Sequence, residues 1–119
     1  MTRATELSRL VEERLTSATA TLAAAAGDAT LCSIGRSGRR HPGVKYPEGQ
    51  VAALRELRGA LFGDPEHPDA VLARVRGSWA EDLARRTAAD PDSNWAVYRE
   101  GGVDALDALS GGPSGSSSG

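Results

Sequence analysis

Residues 47–63 read "PEGQVAALRELRGALFG", and this stretch decides the fold class. Its apolar side chains recur at spacings of three and four, as they do on one face of a helix. They are Val51, Leu54, Leu57, Leu61 and Phe62. Proline favours the first turn of a helix and glycine its end, so Pro47 and Gly63 mark the expected boundaries. The pattern predicts a helix that packs one apolar face against a core.

Similar helical patterns lie on both sides of this stretch. The predicted helices cover about 5–26, 47–63, 68–87 and 93–100, with a last short helical turn over 103–109. Gly101 and Gly102 are expected to end the fourth helix, because glycine is a poor helix former. Trp79 and Trp95 each lie on an apolar helical face, which predicts that both anchor the core. The expected fold is mainly α, a small bundle of four to five helices.

The segment at about 29–46 does not follow a helical pattern. Its part "GRSGRRHPGVKYP" holds three glycines and two prolines, which forbid a continuous helix. We expect a short β-hairpin or an irregular loop here. One strand would lie near Leu31 and Ile34, and the second would run from Val44 to Tyr46.

Length and composition indicate one small domain. We assign residues 1–109 to that domain and 110–119, which are Gly, Ser and one Pro, to a flexible tail. The chain has 12 Leu, 1 Ile, 7 Val and 1 Phe among 119 residues, so the core is modest. A partner or a second copy of the chain would bury further apolar surface, so a homo-oligomer is one interpretation of the small number of large apolar residues.

Charge is concentrated in the irregular segment. The net charge of the chain is only −2, which excludes a general basic surface for nucleic acid or acidic lipid. Residues 36–45 nevertheless carry four cationic side chains and no acid. The predicted binding residues, for an anion or a partner, are Arg36, Arg39, Arg40, His41, Lys45 and Tyr46. The alternative is a solvated loop whose arginines pair with acids of the same domain.

The string "TLCSIGRSGRR" at 30–40 resembles the signature turn of protein tyrosine phosphatases, where five residues separate a cysteine from an arginine. That resemblance implies a thiolate nucleophile and a phosphate cradle. Here three residues separate Cys32 from Arg36, and six separate Cys32 from Arg39, so the spacing does not fit. A small buried side chain on a short strand is the simpler interpretation of Cys32.

These observations favour a non-enzymatic helical interaction module, an accessory or regulatory protein that contacts a macromolecular partner through the basic loop 36–46. An unidentified protein is the first choice of partner. The second hypothesis is a nucleic-acid-binding protein that grips phosphates with the same loop. The third is a small enzyme of phosphate chemistry that uses Cys32 or His41. No cofactor, metal or membrane partner is predicted.

The single cysteine and the charged N-terminus favour a cytoplasmic location. Arginine outnumbers lysine 13 to 1, which is typical of a GC-rich coding sequence and indicates a bacterial origin. The same bias lowers the information carried by any single arginine.

Overall fold

The structure, a computed structural model, describes residues 2–28, 30–35 and 38–117, with side chains up to residue 110. Its elements are α1 (Arg3–Gly27), β1 (Cys32–Ile34), β2 (Arg40–Pro42), α2 (Lys45–Gly63), α3 (Pro68–Ala89) and α4 (Asn94–Ser117). Over these residues the fold is mainly helical, with four helices and a short two-stranded antiparallel hairpin. The predicted small helical bundle is confirmed.

The four helices pack around one apolar core. Leu54 and Leu57 of α2 lie at its centre and are at most 1% exposed. The other large buried members are Leu7, Val11, Leu15, Val51, Leu61, Val71, Leu72, Val75, Trp79, Val103, Leu106 and Leu109. Burying one such side chain stabilises the fold by about 1.5–3 kcal/mol. The helix faces predicted from the spacings of three and four are therefore the faces that meet in the core.

Phe62 does not belong to this core. The apolar pattern places it on the buried face of α2, but its side chain is 91% exposed, whereas that of Leu61 is 4% exposed. Successive helical residues point about 100° apart, so two neighbours at the edge of the apolar stripe do not both face the core. The prediction for Phe62 is wrong for this reason.

The fourth helix does not end at Gly101 and Gly102, as the sequence predicts. It runs through both, because α2 and α4 approach so closely there that larger residues do not fit. A Cβ atom on Gly101 would overlap the backbone carbonyl of Tyr46, and one on Gly49 would overlap that of Tyr98. Glycine weakens a helix by about 1 kcal/mol relative to alanine, and the close packing compensates for that loss.

The irregular segment forms a hairpin, but its second strand is misplaced in the prediction. That strand is Arg40–Pro42, whereas Lys45 and Tyr46 already belong to the first turn of α2. Pro47 is then the third residue of α2, a position whose backbone N–H has no partner within the helix in any case. Its place in the first turn is compatible with the helix that begins at Lys45.

The tail predicted from residue 110 onwards stays a prediction. The backbone of α4 extends to Ser117, and residues 118 and 119 lie outside the described residues.

Candidate functional site

The hairpin has two faces with different environments. Its strands pair in the register Cys32 with Pro42, Ser33 with His41, and Ile34 with Arg40. Side chains alternate along a strand, so Ser33 and His41 lie on one face and the other four on the opposite face. His41 is buried and Ser33 half-buried, whereas the other four residues are exposed. The inner face therefore rests on the helices and the outer face does not.

His41 fastens the inner face to α4. The residue is 3% exposed, and its Nε2 lies 3.2 Å from Oε2 of Glu100. The N–H direction is not aligned for a hydrogen bond, so the contact is an ion pair when the imidazole is protonated. The His41 ring also stacks on Tyr46, with ring centroids 5.2 Å apart. A strand residue, a residue of α2 and a carboxylate of α4 thus meet under the hairpin.

Tyr46 adds a second polar contact to α4. Its buried phenol donates a hydrogen bond to Oδ2 of Asp104 at 2.5 Å. Asp104 lies four residues after Glu100, so both carboxylates lie on one face of α4. Hydrogen bonds to a charged group contribute about 1.5–3 kcal/mol, more than neutral ones. This bond therefore ties the start of α2, directly after the hairpin, to the middle of α4.

Gly35, which follows β1, completes the packing around these carboxylates. A Cβ atom there would lie 2.6 Å from Oε2 of Glu100 and 3.1 Å from Oδ2 of Asp104. The first distance is shorter than any ordinary contact of a Cβ atom. A side chain at position 35 would therefore displace the Glu100 carboxylate from its place beside the hairpin.

The basic residues of the segment have different surroundings. The Arg39 guanidinium forms an ion pair with Asp92, and Lys45 Nζ lies 3.2 Å from Oε1 of Glu48. Arg40 is exposed on the outer face and makes no ion pair with any residue that the structure describes. Arg36 lies outside the described residues. Two of the predicted binding cations therefore already have acidic partners within the domain.

The outer side of the hairpin carries exposed apolar side chains beside Arg40. Ile34 is 61% exposed and Leu31, which precedes β1, is 43% exposed. Cys32 is exposed as well, with its thiol 3.7 Å from the carbonyl oxygen of Thr30. The interpretation of Cys32 as a buried side chain is wrong, because strand alternation turns Cys32 and Ile34 away from the helices.

Trp95 is also misjudged by the sequence pattern. Trp79 is a core residue, as predicted, but Trp95 is 52% exposed. The Trp95 ring makes an edge contact with Tyr98, with centroids 5.7 Å apart. Lys45 Nζ lies 5.7 Å and the Arg86 guanidinium 5.6 Å from its centroid. Trp95 thus packs between cations at the start of α4 rather than in the core.

A second polar cluster joins α3 to α4 around Asp82. Its carboxylate accepts hydrogen bonds from Arg85 at 2.5 Å and Arg86 at 3.3 Å, and Nε of Arg99 lies 2.6 Å from Oδ2. Burial opposes ionisation of Asp82, but the hydrogen bonds from Arg85 and Arg86 and the charge of Arg99 hold its pKa below the usual value. The Arg99 guanidinium also lies over the Trp79 ring, 4.4 Å from its centroid. The cluster thus fixes the position of α4 against α3.

His41 and Tyr46 are among the residues predicted to bind a partner, but the structure buries both; Glu100 and Asp104 are not among the predicted residues. The hydrogen bond from Tyr46 to Asp104 spans 58 residues of sequence, so no local pattern indicates it. The sequence also predicts that the helix ends at Gly101 and Gly102, between Glu100 and Asp104, so the pattern does not place the two acids on one helical face.

Among the described residues, no group of three or more His, Cys, Asp or Glu side chains is placed to hold a metal ion. No helix in that part of the chain is long and apolar enough to cross a membrane. No protein-family model matches the chain, and no curated protein or solved structure is significantly similar to it.

Proposed function

We propose that this chain is a non-enzymatic helical interaction module, an accessory or regulatory protein, and that the outer face of its hairpin binds a protein partner. One observation carries the proposal. The inner face of the hairpin is fastened by His41 and Tyr46, while Ile34 on the outer face is 61% exposed and Leu31, the residue before β1, is 43% exposed. A surface held in place before binding loses little conformational entropy when it binds.

The charges favour a protein over nucleic acid as the partner. Binding to phosphates requires cations that are available to replace counterions. Arg39 and Lys45 already pair with Asp92 and Glu48, and the side chains beside Arg40 on the outer face are uncharged. Exposed Leu and Ile contribute to a protein interface through burial of apolar area, which a nucleic-acid backbone does not offer.

A reducing, cytoplasmic location is part of the proposal. Cys32 is an exposed thiol on the proposed binding face. Free thiols persist in reducing compartments and form disulfides in oxidising ones. The exposed cysteine is therefore compatible with a cytoplasmic interaction surface.

The experiment is affinity capture from the source cells with the full chain, its Ile34→Asp variant and a matched Phe62→Asp variant. Phe62 is 91% exposed at the far end of α2, so its replacement alters charge and apolar surface without touching the hairpin. We expect a protein that the wild type and Phe62→Asp both retain and that Ile34→Asp loses at least ten-fold. Equal capture by all three chains, or capture of nucleic acid that Arg40→Ala abolishes, would contradict the proposal.

A further inference from the structure

We propose that the outer edge of β1 binds an extended segment of the partner protein as an additional β-strand. This segment would carry acidic side chains next to apolar ones. This inference rests on the proposed function, because it names the kind of segment that the hairpin would bind. It is carried by the hydrogen-bonding pattern of the strands, by the difference between their two edges, and by the side chains beside the outer edge.

The hydrogen bonds of the hairpin leave the backbone of Cys32 and Ile34 pointing outward. The N–H of Gly35 donates to the carbonyl of Arg39 at 3.1 Å, and the N–H of Gly43 donates to that of Leu31 at 3.2 Å. Hydrogen-bonded and non-bonded pairs alternate in an antiparallel ladder. Ser33 and His41 therefore exchange the bonds between the strands. The N–H and C=O groups of Cys32 and Ile34 point away from β2.

The two edges of the hairpin are not equivalent. β2 lies against α2, and Pro42 in β2 has no N–H to donate. On β1, the outward N–H groups of Cys32 and Ile34 have no hydrogen-bond partner among the described residues. Unpaired N–H and C=O groups in a strand are a template for another extended chain. The β1 edge therefore has two outward N–H groups, those of Cys32 and Ile34, whereas β2 has only that of Arg40 among its three residues.

The side chains beside this edge define the chemistry of the segment. Cys32 and Ile34 are exposed, lie two residues apart on the outer face, and suit apolar side chains at alternate positions of an added strand. Arg40 lies opposite Ile34 on the same face and makes no ion pair with a described residue. An added strand would lie about 10 Å from β2, which is two strand spacings. The side chain of Arg40 on β2 and a glutamate side chain on the added strand are together long enough to meet across this distance. Charge complementarity therefore selects an acidic residue close to the apolar ones.

The test selects peptides from a displayed random library on the full chain and titrates them into the isotope-labelled protein. We expect the selected peptides to have apolar residues at alternate positions and an acidic residue close to them. The amide signals of Cys32 and Ile34 should move most and become protected from hydrogen exchange. Cys32→Pro removes the outward N–H of residue 32 and keeps the hydrogen bonds between Ser33 and His41. Cys32→Ala keeps both the outward N–H and those hydrogen bonds. We expect at least five-fold weaker binding for Cys32→Pro than for Cys32→Ala.

Several results would overturn the strand proposal: no enriched peptide, peptides that bind elsewhere, equal affinity of Cys32→Pro and Cys32→Ala, or a dimer of the chain whose contact already protects Cys32 and Ile34. Slow hydrogen exchange of the Ser33 and His41 amides in Cys32→Pro verifies that the hairpin is intact. If captured partner is lost with Ile34→Asp but kept with Cys32→Pro, the proposed function stands and strand addition fails. If Ile34→Asp also captures normally, both fail.

Discussion

The helical bundle and the hairpin are held by different kinds of contact. In the bundle, α2 and α4 touch along glycines, and leucines such as Leu54, Leu57 and Leu106 fill the core with at most 1% exposure. The hairpin is fastened through polar groups, with His41 against Glu100 and Tyr46 bonded to Asp104. Close packing makes the bundle sensitive to volume, whereas hydrogen bonds and charge determine how the hairpin is attached.

This difference separates stability from binding. Apolar burial dominates the free energy of folding, so the bundle carries most of the stability. Regions with few buried apolar contacts open with a smaller free energy than the whole domain. The hairpin is thus expected to be the region whose loss of attachment alters partner binding while the helices stay folded.

The largest effect is expected from Gly49→Ala, which tests the packing of the bundle. The added Cβ overlaps the carbonyl oxygen of Tyr98, so α2 and α4 must move apart. We expect a loss of about 3 kcal/mol or more in the free energy of unfolding, measured by urea denaturation. Gly59→Ala is the matched control, since nothing lies within 4 Å of its Cβ position. It should stabilise the protein by about 0.5–1 kcal/mol; similar values for the two variants would contradict the close approach.

The next effect concerns Asp82, a charged group within the bundle. Asp82→Asn leaves three guanidinium groups without their carboxylate, and we expect a loss of about 2–4 kcal/mol at pH 7. Because the folded-state pKa of Asp82 is lowered, its stabilising contribution is present above the unfolded pKa of about 3.9 and is lost as the pH falls through the folded value. Urea denaturation of the wild type and Asp82→Asn between pH 7 and pH 3 measures the difference in their free energies of unfolding. This difference should become smaller only at acidic pH. A difference that stays constant to pH 3 would rule out this assignment.

Tyr46→Phe is expected to have an intermediate effect and to act on the hairpin. The change removes the hydroxyl that donates to Asp104 and leaves the ring on His41. We expect a loss of about 1–3 kcal/mol, with faster hydrogen exchange at Ser33 and His41 than in the core helices. Tyr98→Phe, which alters a half-buried ring of α4, should change stability by less than about 0.5 kcal/mol. Equal effects of both variants would mean that the hydroxyl of Tyr46 does not fasten the hairpin.

The smallest effect is expected from Asp92→Asn. Asp92 forms an exposed ion pair with Arg39, with side chains 79% and 44% exposed. Exposed pairs contribute little because water and salt screen them, so thermal and urea unfolding should change by less than about 0.5 kcal/mol. Partner capture by this variant should equal that of the wild type, because Asp92 lies outside the hairpin. A loss above 1 kcal/mol would show that charge at the exposed pair also holds the hairpin.

Local sequence pattern predicts the helices but not the contacts that join them. The spacing of Leu54, Leu57 and Leu61 determines which face of α2 is buried, because that face is a local property of a helix. Gly101 is different: the same residue ends a helix or permits close packing, and only the position of α2 distinguishes the two. The sequence therefore predicts an end where the helix continues.

The candidate site was predictable in part. The charge and glycine content of residues 36–45 indicate an exposed loop, and His41 and Tyr46 are among the predicted residues. Three-residue strands are too short to show a period of two, so the sequence does not reveal that His41 faces inward. Glu100 and Asp104 contact His41 and Tyr46 only because the tertiary fold brings α4 beside the hairpin. The exposure of Ile34 likewise depends on the register with Arg40.

Hydrogen exchange of the hairpin amides in the isolated chain tests most directly that the hairpin is anchored on one side and open on the other. We expect slow exchange at Ser33 and His41, whose N–H groups bond within the ladder, and fast exchange at Cys32 and Ile34. Equally fast exchange at all four would mean that the hairpin is not held in place. Protection of Cys32 and Ile34 would mean that the β1 edge is already covered, and either result would contradict a preformed surface open to a partner.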